Sequence, residues 1–501
     1  MQKRSKGIVV SYLKVAVNMI CGLVLSAALL RLLGDTENGI YQTISAFANY
    51  LVLLEFGMGT VMVRNISVCR GRCASDEEIN KNISTIWTIS WMQLLGILLV
   101  SVVFYFLIPV IYVKSMSVEQ IWHARKIFVF ITGYLVLSFL VQTLNGAILA
   151  YENYAFASLQ GTIRTVARTI LLLVVLRLYR NAVLIAVTDL LLSALCLGVS
   201  YGYCRRKLKI RPRLGVLDRT VLRTSLPLAF AVFLEAIVNQ SNNNVDKFLI
   251  GILMSPESVS LYSVGLYVYS VFSSLTYVPL LMYAPSVTQK VGQGIRGEDL
   301  TEHLEPACRL TALTGGLVLF GFAAVGRQFV CMMYGETYQL AWPIAVLLMA
   351  PMYLNMVTGV LVNVLDALNK RMARSLVLIS TTVLNIVLTV FWLQRWGVIG
   401  ATMASALCTL IGQVLIMNLY YAKALRIPVL QLYRSAFRGI VVYLILGCGA
   451  ALGVGSQIEN VYVSFLMSGV VFVGVALGGY FLFGMNEEEK KRIRKFLRKK
   501  T

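Results

Sequence analysis

Apolar runs recur along the chain from Gly7 to Phe483, and each is long enough to cross a hydrocarbon core of about 30 Å. Their limits predict fourteen membrane-spanning helices, at roughly 8–33, 40–63, 83–108, 127–149, 154–176, 181–203, 226–253, 259–283, 309–330, 340–366, 373–394, 398–421, 439–455 and 461–483. The loop between the tenth and eleventh, Leu368–Ala373, is short, but Lys370 and Arg371 mark it as a crossing end. No soluble domain fits between the runs. The first run, Gly7–Leu33, exceeds the length of a signal-peptide core and reads as an uncleaved first helix.

The pattern repeats. Lys14-Val15-Ala16-Val17-Asn18 in the first span matches Glu235-Ala236-Ile237-Val238-Asn239 in the seventh, and the same shift of 221 carries Asn38-Gly39-Ile40-Tyr41 onto Val259-Ser260-Leu261-Tyr262. At a shift of 217, Ala150 and Ala157-Ser158-Leu159 fall on Ala367 and Arg374-Ser375-Leu376. Six spans separate the copies, so both enter the membrane in the same direction. The expectation is two parallel six-helix lobes related by an axis along the membrane normal, with a site between them near the midplane. Residues 1–203 would form the N-terminal lobe, 204–225 a basic cytoplasmic linker, and 226–422 the C-terminal lobe. Residues 423–483 would add helices 13 and 14, and 484–501 a basic cytoplasmic tail. The fold class is therefore all-α and polytopic.

Composition agrees with this pattern. Hydrophobic residues make up 58% and charged residues 14%, well below the roughly 25% charge of a soluble domain. The net charge of +22 would suggest nucleic acid as a partner in a soluble protein. Here the cations sit in loops and tails. Of 45 Lys and Arg residues, 33 lie on the side holding the N-terminus, the linker and the tail, 7 on the other side, and 5 within spans. The richer side reads as cytoplasmic, and an even number of spans puts both termini there. Anionic membrane lipids are the expected partners of these loops and of the tail helix Glu487–Lys500, and nucleic acid is not. Trp122, Trp342 and Trp396, near span ends, read as interface anchors.

Ionisable residues within spans are costly and need a reason. Arg164 and Arg168 lie about 10 and 14 residues into the fifth span, hence roughly 15 and 21 Å deep, and four-residue spacing puts them on one face. Asp189 on the sixth span offers a partner, yet one carboxylate cannot neutralise two guanidiniums. The reading is a water-filled, anion-binding cavity, with pairing to Asp189 as the alternative. Lys14 lies two turns into the first span, and Glu235 is its repeat counterpart; Asn18 and Asn239 sit one turn deeper. Glu55, in Leu54-Glu55-Phe56-Gly57-Met58-Gly59, lies beside small residues that permit close helix approach. Asp246 and Lys247 are adjacent and need separate partners; placement at the outer interface is their alternative, as it is for Arg31. The first lobe is cationic and the second acidic, which suits an anionic substrate held by Arg164, Arg168, Lys14, Asn18 and Asn239. A coupling cation, proton or sodium, would use Glu235, Glu55 and Asp246. Pro279 and Pro351 allow bends within spans.

No Walker A loop, nucleophile elbow or HExxH occurs, and Gly292–Gly297 lacks the lysine-serine of a phosphate loop. Cys69 and Cys73 have no completing ligands, and His123 and His303 lie far apart, so neither a metal site nor a cofactor is expected. Catalysis is not expected either.

The opening helix with Asn18, Arg31-Leu32-Leu33-Gly34 followed by Asn38-Gly39-Ile40-Tyr41, and Glu55-Phe56-Gly57-Met58-Gly59 resemble bacterial polysaccharide flippases. So does Asp246-Lys247-Phe248-Leu249-Ile250-Gly251 followed by Tyr262. These flippases belong to the multidrug, oligosaccharidyl-lipid and polysaccharide exporter superfamily, and the resemblance spans roughly the whole chain. It implies a V-shaped, alternating-access cavity in the cytoplasmic membrane. The implied substrate is an undecaprenyl-pyrophosphate-linked oligosaccharide, moved to the outer leaflet for surface polysaccharide such as O-antigen or capsule, alongside polysaccharide assembly proteins. Cationic cavity residues of the family would correspond to Arg164, Arg168 and Lys14, and the final two helices would offer a groove for the lipid tail. Glu235 opposite Lys14 makes the site less symmetric than the fold.

The competing reading is a multidrug or organic-cation antiporter of the same superfamily, for which twelve helices usually suffice and whose cationic substrates paired arginines would repel. A membrane glycosyltransferase would be expected to carry a large outer loop or catalytic carboxylates, and the outer loops here are short.

Overall fold

Among the described residues every regular element is helical. The structure is a computed structural model that describes residues 2–210, 212–368, 370–486 and 489–490. Side chains are described for these except 2–16, 231, 234, 235, 238, 239, 241–243 and 371. The first helices are α1 (Gln2–Leu33), α2 (Asp35–Ala48), α3 (Met58–Gly71), α4 (Asp76–Tyr112), α5 (Val118–Ala150), α6 (Tyr154–Leu178) and α7 (Val183–Arg206). Next come α8 (Arg219–Leu253), α9 (Pro256–Gly292), α10 (Gly297–Tyr334), α11 (Ala341–Val357), α12 (Leu361–Ala367) and α13 (Arg371–Thr409). The chain continues through α14 (Met417–Ala424), α15 (Val429–Phe437), α16 (Val441–Gly455) and α17 (Val461–Gly479).

Ten helical stretches among the described residues are long and apolar enough to cross a membrane, and α15 with α16, bent by 48°, makes an eleventh. The three other expected spans correspond to α1, to α8, and to the division of Met372–Ala424 at Gly397, where φ 58 and ψ −146 leave the helical region. Outward faces are apolar at helical spacing: on α4, Met92, Leu95, Leu99, Phe106 and Val110 are all exposed. Water would penalise such a stripe, whereas lipid tails accept it. The chain is a multi-pass membrane protein.

The residues cluster into two compact units, Met1–Ser260 and Leu261–Thr501. In the first, α5 is central and packs against α7, α3, α4 and α2, while α1 lies along α6. Ile40, Ile44, Met62, Ile83, Ile97, Phe128 and Ile148 are buried between these helices. Helix α8, expected to begin the second lobe, packs on α2, α3 and α4.

The second expected span, 40–63, is not one helix. After α2 the chain tightens into a 3-10 segment, Asn49–Glu55, and then Phe56 (φ 51) and Gly57 (φ 63) both turn left-handed before α3 begins. The break is held from α8: the Phe56 ring stacks on Phe233 at 4.8 Å, and a Cβ on Gly57 would fall 2.2 Å from Val232 Cγ1. Beyond it α3 and α5 touch backbone to backbone, because a Cβ on Gly146 would lie 2.4 Å from the Gly59 carbonyl oxygen. The tenth span is also interrupted, at 358–360 between α11 and α12.

Helix starts reproduce the repeat. Asp35 and Pro256 begin α2 and α9, Asp76 and Gly297 begin α4 and α10, each pair 221 apart, and Tyr154 and Arg371 begin α6 and α13, 217 apart. Positions at the repeat shift, or one residue from it, also meet within the first unit. The Thr36 hydroxyl donates to Glu257 Oε1 at 2.6 Å, and Asn38 Nδ2 donates to Ser260 Oγ at 2.7 Å.

The segment before α8 is docked on α4. Ser84 Oγ accepts from the Arg213 amide at 3.0 Å, and Asp218 both caps α8 and pairs with Lys81 at 2.7 Å. Lys81, the Thr220 hydroxyl and the Thr220 amide hold the Asp218 carboxyl well below the usual carboxylate range.

In the second unit α10 packs against α11, α15, α16 and α17. Arg309 on α10, 3% exposed, gathers the chain at the ends of α15 and beyond α17. Its Nη1 donates to the Ser435 and Arg438 carbonyls at 2.7 and 3.1 Å, its Nη2 to the Gly484 carbonyl at 3.2 Å, and its Nε to Glu489 Oε1 at 2.9 Å. Burial alone would raise the Glu489 pKa, but bonds from Arg309 and the Asn486 amide outweigh it and hold it below 4.5.

Two sets of variants test these contacts. Gly57→Ala should destabilise the protein by about 2–4 kcal/mol, through left-handed strain and overlap with Val232, whereas Gly198→Ala, with open space at its Cβ, should not; thermal unfolding in detergent compares them. Because the folded Glu489 pKa is depressed, its contribution is present above pH 4.5 and lost as pH falls below it. Glu489→Gln should lower stability at pH 7 and flatten the decline below pH 4.5; an unchanged acid limb would count against this clasp.

Candidate functional site

Three polar residues of α6, each one turn apart, meet α7 in a ladder. Gln160 Nε2 donates to Ser200 Oγ at 2.8 Å and to the Cys196 carbonyl at 3.0 Å. Arg164 Nη2 donates to Ser193 Oγ at 2.9 Å. Arg168 grips Asp189 with Nε to Oδ1 at 2.5 Å and Nη2 to Oδ2 at 2.8 Å. Four-residue steps on α6 face descending positions on α7 because the two helices run antiparallel and each step recovers nearly a full turn. Helix α5 closes the third side: Ser200 donates to Asn145 Oδ1 at 3.4 Å, and the Arg164 guanidinium lies 5.6 Å from the centre of the Tyr134 ring.

The two arginines differ in what they have left to give. Asp189, 8% exposed, takes up the charge of Arg168 through two of its donors, which is the pairing the sequence offered as an alternative. Arg164 is half-buried and its bonded partner is a neutral hydroxyl. A guanidinium has five N–H donors, so most of those on Arg164 remain for an anion, and Tyr134 supplies a cation–π contact that accepts the charge without neutralising it. Among the described residues the ladder therefore keeps one positive charge in excess, held by its neighbours. An arrangement of this kind is chemically able to accept an anion on the remaining Arg164 donors.

Helix α1, which packs along α6, carries Lys14 and Asn18. Asn18 is exposed; the side chains of Lys14, Glu235 and Asn239 lie outside the described ones, on helical backbone of α1 and α8. Glu55 stands at the break before α3 and accepts from Gln142 Nε2 of α5 at 3.4 Å, so it belongs to the break. Asp246 is half-buried within electrostatic reach of Tyr50, and Lys247 Nζ donates to Gln42 Oε1 of α2 at 3.4 Å. Sequence reasoning singled out Arg164, Arg168 and Asp189 and passed over Gln160, Ser193, Ser200 and Tyr134. Gln160 was findable, since it continues the four-residue spacing of the arginines by one turn.

Residues 5–289, more than half the chain, match the family model described as "Polysaccharide biosynthesis protein". No curated protein matches. Among solved structures, a lipid II flippase MurJ in an inward closed conformation superposes with a TM-score of 0.68 at 14% identity, covering 95% of this chain and 98% of that one. An inward-facing multidrug resistance MATE family transporter of the MOP superfamily gives 0.60 at 13% identity, covering 82% and 95%. The MATE multidrug transporter DinF-BH gives 0.57 at 15%, covering 84% and 95%. The fold of the MOP superfamily is shared along nearly the whole length.

Asp189→Ala should lower stability by about 2–3 kcal/mol in thermal unfolding, somewhat less than the roughly 3–5 kcal/mol of a fully buried pair because Arg168 keeps partial exposure. Arg164→Gln should cost less than about 1 kcal/mol, since it leaves no carboxylate unpaired. Equal losses for the two variants would contradict the division of roles.

Proposed function

The chain belongs to the polysaccharide biosynthesis protein family, and from that membership we propose that it is a flippase for an undecaprenyl-pyrophosphate-linked oligosaccharide. The observation that carries the reading is Arg164: a guanidinium inside a membrane span, oriented by Ser193 and Tyr134, and without a carboxylate partner among the described residues while Arg168 is paired. A pyrophosphate presents oxygens in the geometry a guanidinium fork accepts, and in a low-dielectric surround that contact is strong. The sugar chain would ride with it through a water-filled cavity. Helices within 423–483 would accompany the polyprenyl tail.

Arg168 and Asp189 serve this scheme as positioning residues, holding α6 against α7 so that the Arg164 head is fixed. Lys14, Asn18 and Asn239 would complete the substrate site, and Glu235, Glu55 and Asp246 would take a coupling proton or sodium ion. The orientation that fits the 33-to-7 distribution of basic residues puts both termini in the cytoplasm of a bacterial cell and the linker 204–225 on that face.

The test is complementation of a bacterium lacking its own polysaccharide flippase. Wild type should restore surface polysaccharide, and Arg164→Ala at matched expression should restore roughly 10- to 100-fold less, the loss of a charge-assisted contact worth about 1.5–3 kcal/mol. Restoration by Arg164→Ala equal to wild type would remove the site. No restoration by either, with proton-driven efflux of organic cations, would replace the reading with an antiporter.

A further inference from the structure

At the basic end of the second unit, the loops preceding α10, α13 and α15, with residues of α10, α12 and α14, border an open cavity of ≈ 230 Å³. Arg296, Lys370 and Arg426 line it, one from each loop, and none of its ten lining residues is acidic. Its floor is apolar, with Leu300, Val364 and Ile427 buried. Three like charges around one small space repel one another, and nothing among the lining residues offsets that.

The backbone shows how the arrangement is imposed. Arg426 has φ 54, the left-handed region that disfavours a residue bearing a Cβ, and Gly297, at φ 58, lies with its Cβ position 3.4 Å from the Arg426 carbonyl oxygen. The Arg296 side chain is oriented by donating Nη1 to the Val291 carbonyl at 2.5 Å, which caps the end of α9 and leaves its other nitrogens available. A strained backbone at a cationic cavity wall points to a function for the strain.

We propose that this cavity binds a phosphoryl anion borne on an apolar tail, the chemistry of an anionic phospholipid. The charges would meet the phosphate and the floor would meet the first atoms of the lipid. The volume falls below the roughly 300–1,000 Å³ of pockets for drug-sized ligands and suits a headgroup. Next to the cavity, α15 buries Val429, Leu432 and Ala436 while exposing Leu430 and Arg434, the pattern of a helix lying at a membrane interface. This site shares no residue with the α6–α7 ladder, so it stands whether or not the flippase reading does.

The test uses the full-length protein purified in detergent, with native mass spectrometry counting retained phosphatidylglycerol against phosphatidylcholine. The variant is Lys370→Gln/Arg426→Gly; the glycine removes the guanidinium and relieves the left-handed strain, so misfolding is not expected. The basic tail is common to both proteins, and the difference between them reads the cavity alone. Wild type should prefer phosphatidylglycerol, and the variant should lose that preference by roughly 10- to 30-fold, as two cations near an anionic surface imply. A second arm adds inorganic phosphate to delipidated protein and follows thermal unfolding. Stabilisation of wild type alone by phosphate, with no lipid preference, would assign the site to the free anion. Equal lipid retention by both proteins, with no phosphate effect on either, would overturn the proposal.

Discussion

Arg168 and Asp189 meet through two hydrogen bonds, 2.5 and 2.8 Å long, within membrane-spanning helices, where an unpaired charge is costly. That constraint governs the first unit's polar interior. Once Asp189 is committed to Arg168, α6 and α7 are locked in register. The remaining rungs, Arg164 to Ser193 and Gln160 to Ser200, then fall where they must. The excess charge that results sits on Arg164, whose ring contact with Tyr134 ties it to α5 as well. Recognition of an anion, as proposed, thus follows from one carboxylate being taken up by one of two guanidiniums.

The same demand for internal partners explains why the second span breaks. An interrupted helix exposes backbone groups, and such a break survives at membrane depth only where protein or a water-filled cavity takes them up. Here the break lies against α8, with Phe56 on Phe233 and Gly57 against Val232, and carries Glu55 beside Gln142. In the second unit Arg309 gathers the ends of α15, the last helices and Glu489, so the helices added beyond the repeat are tied to α10 at one point.

Much of this was legible in the chain. Apolar runs gave the spans, because lipid imposes a length on each, and the shifts of 221 and 217 reappear in the helix starts at Asp35, Pro256, Tyr154 and Arg371. Arg164 and Arg168 stood out by depth and spacing, and Asp189 by being the acid on the next span. The break at 49–57 was hidden, since Asn49-Tyr50-Leu51-Val52-Leu53-Leu54 reads as an ordinary apolar helix and the contacts that hold the break open come from α8, some 180 residues away. Neutral rungs such as Ser193 and Ser200 were hidden for another reason: hydroxyls are common in membrane helices, and only a three-dimensional partner distinguishes these. The bond from Lys247 to Gln42 joins α8 to α2 and was equally invisible to periodicity.

The central claim is that the excess charge on the α6–α7 ladder carries a pyrophosphate-linked lipid across the membrane. The most direct measurement reconstitutes the purified protein in vesicles containing an undecaprenyl-pyrophosphate-linked oligosaccharide and follows sugar exposure on the far leaflet with an impermeant enzyme. The account predicts exposure that rises with time in protein-containing vesicles and is suppressed by free pyrophosphate-bearing lipid analogues competing for the guanidinium. Exposure no faster than in protein-free vesicles, while the same vesicles move an organic cation against a proton gradient, would contradict it.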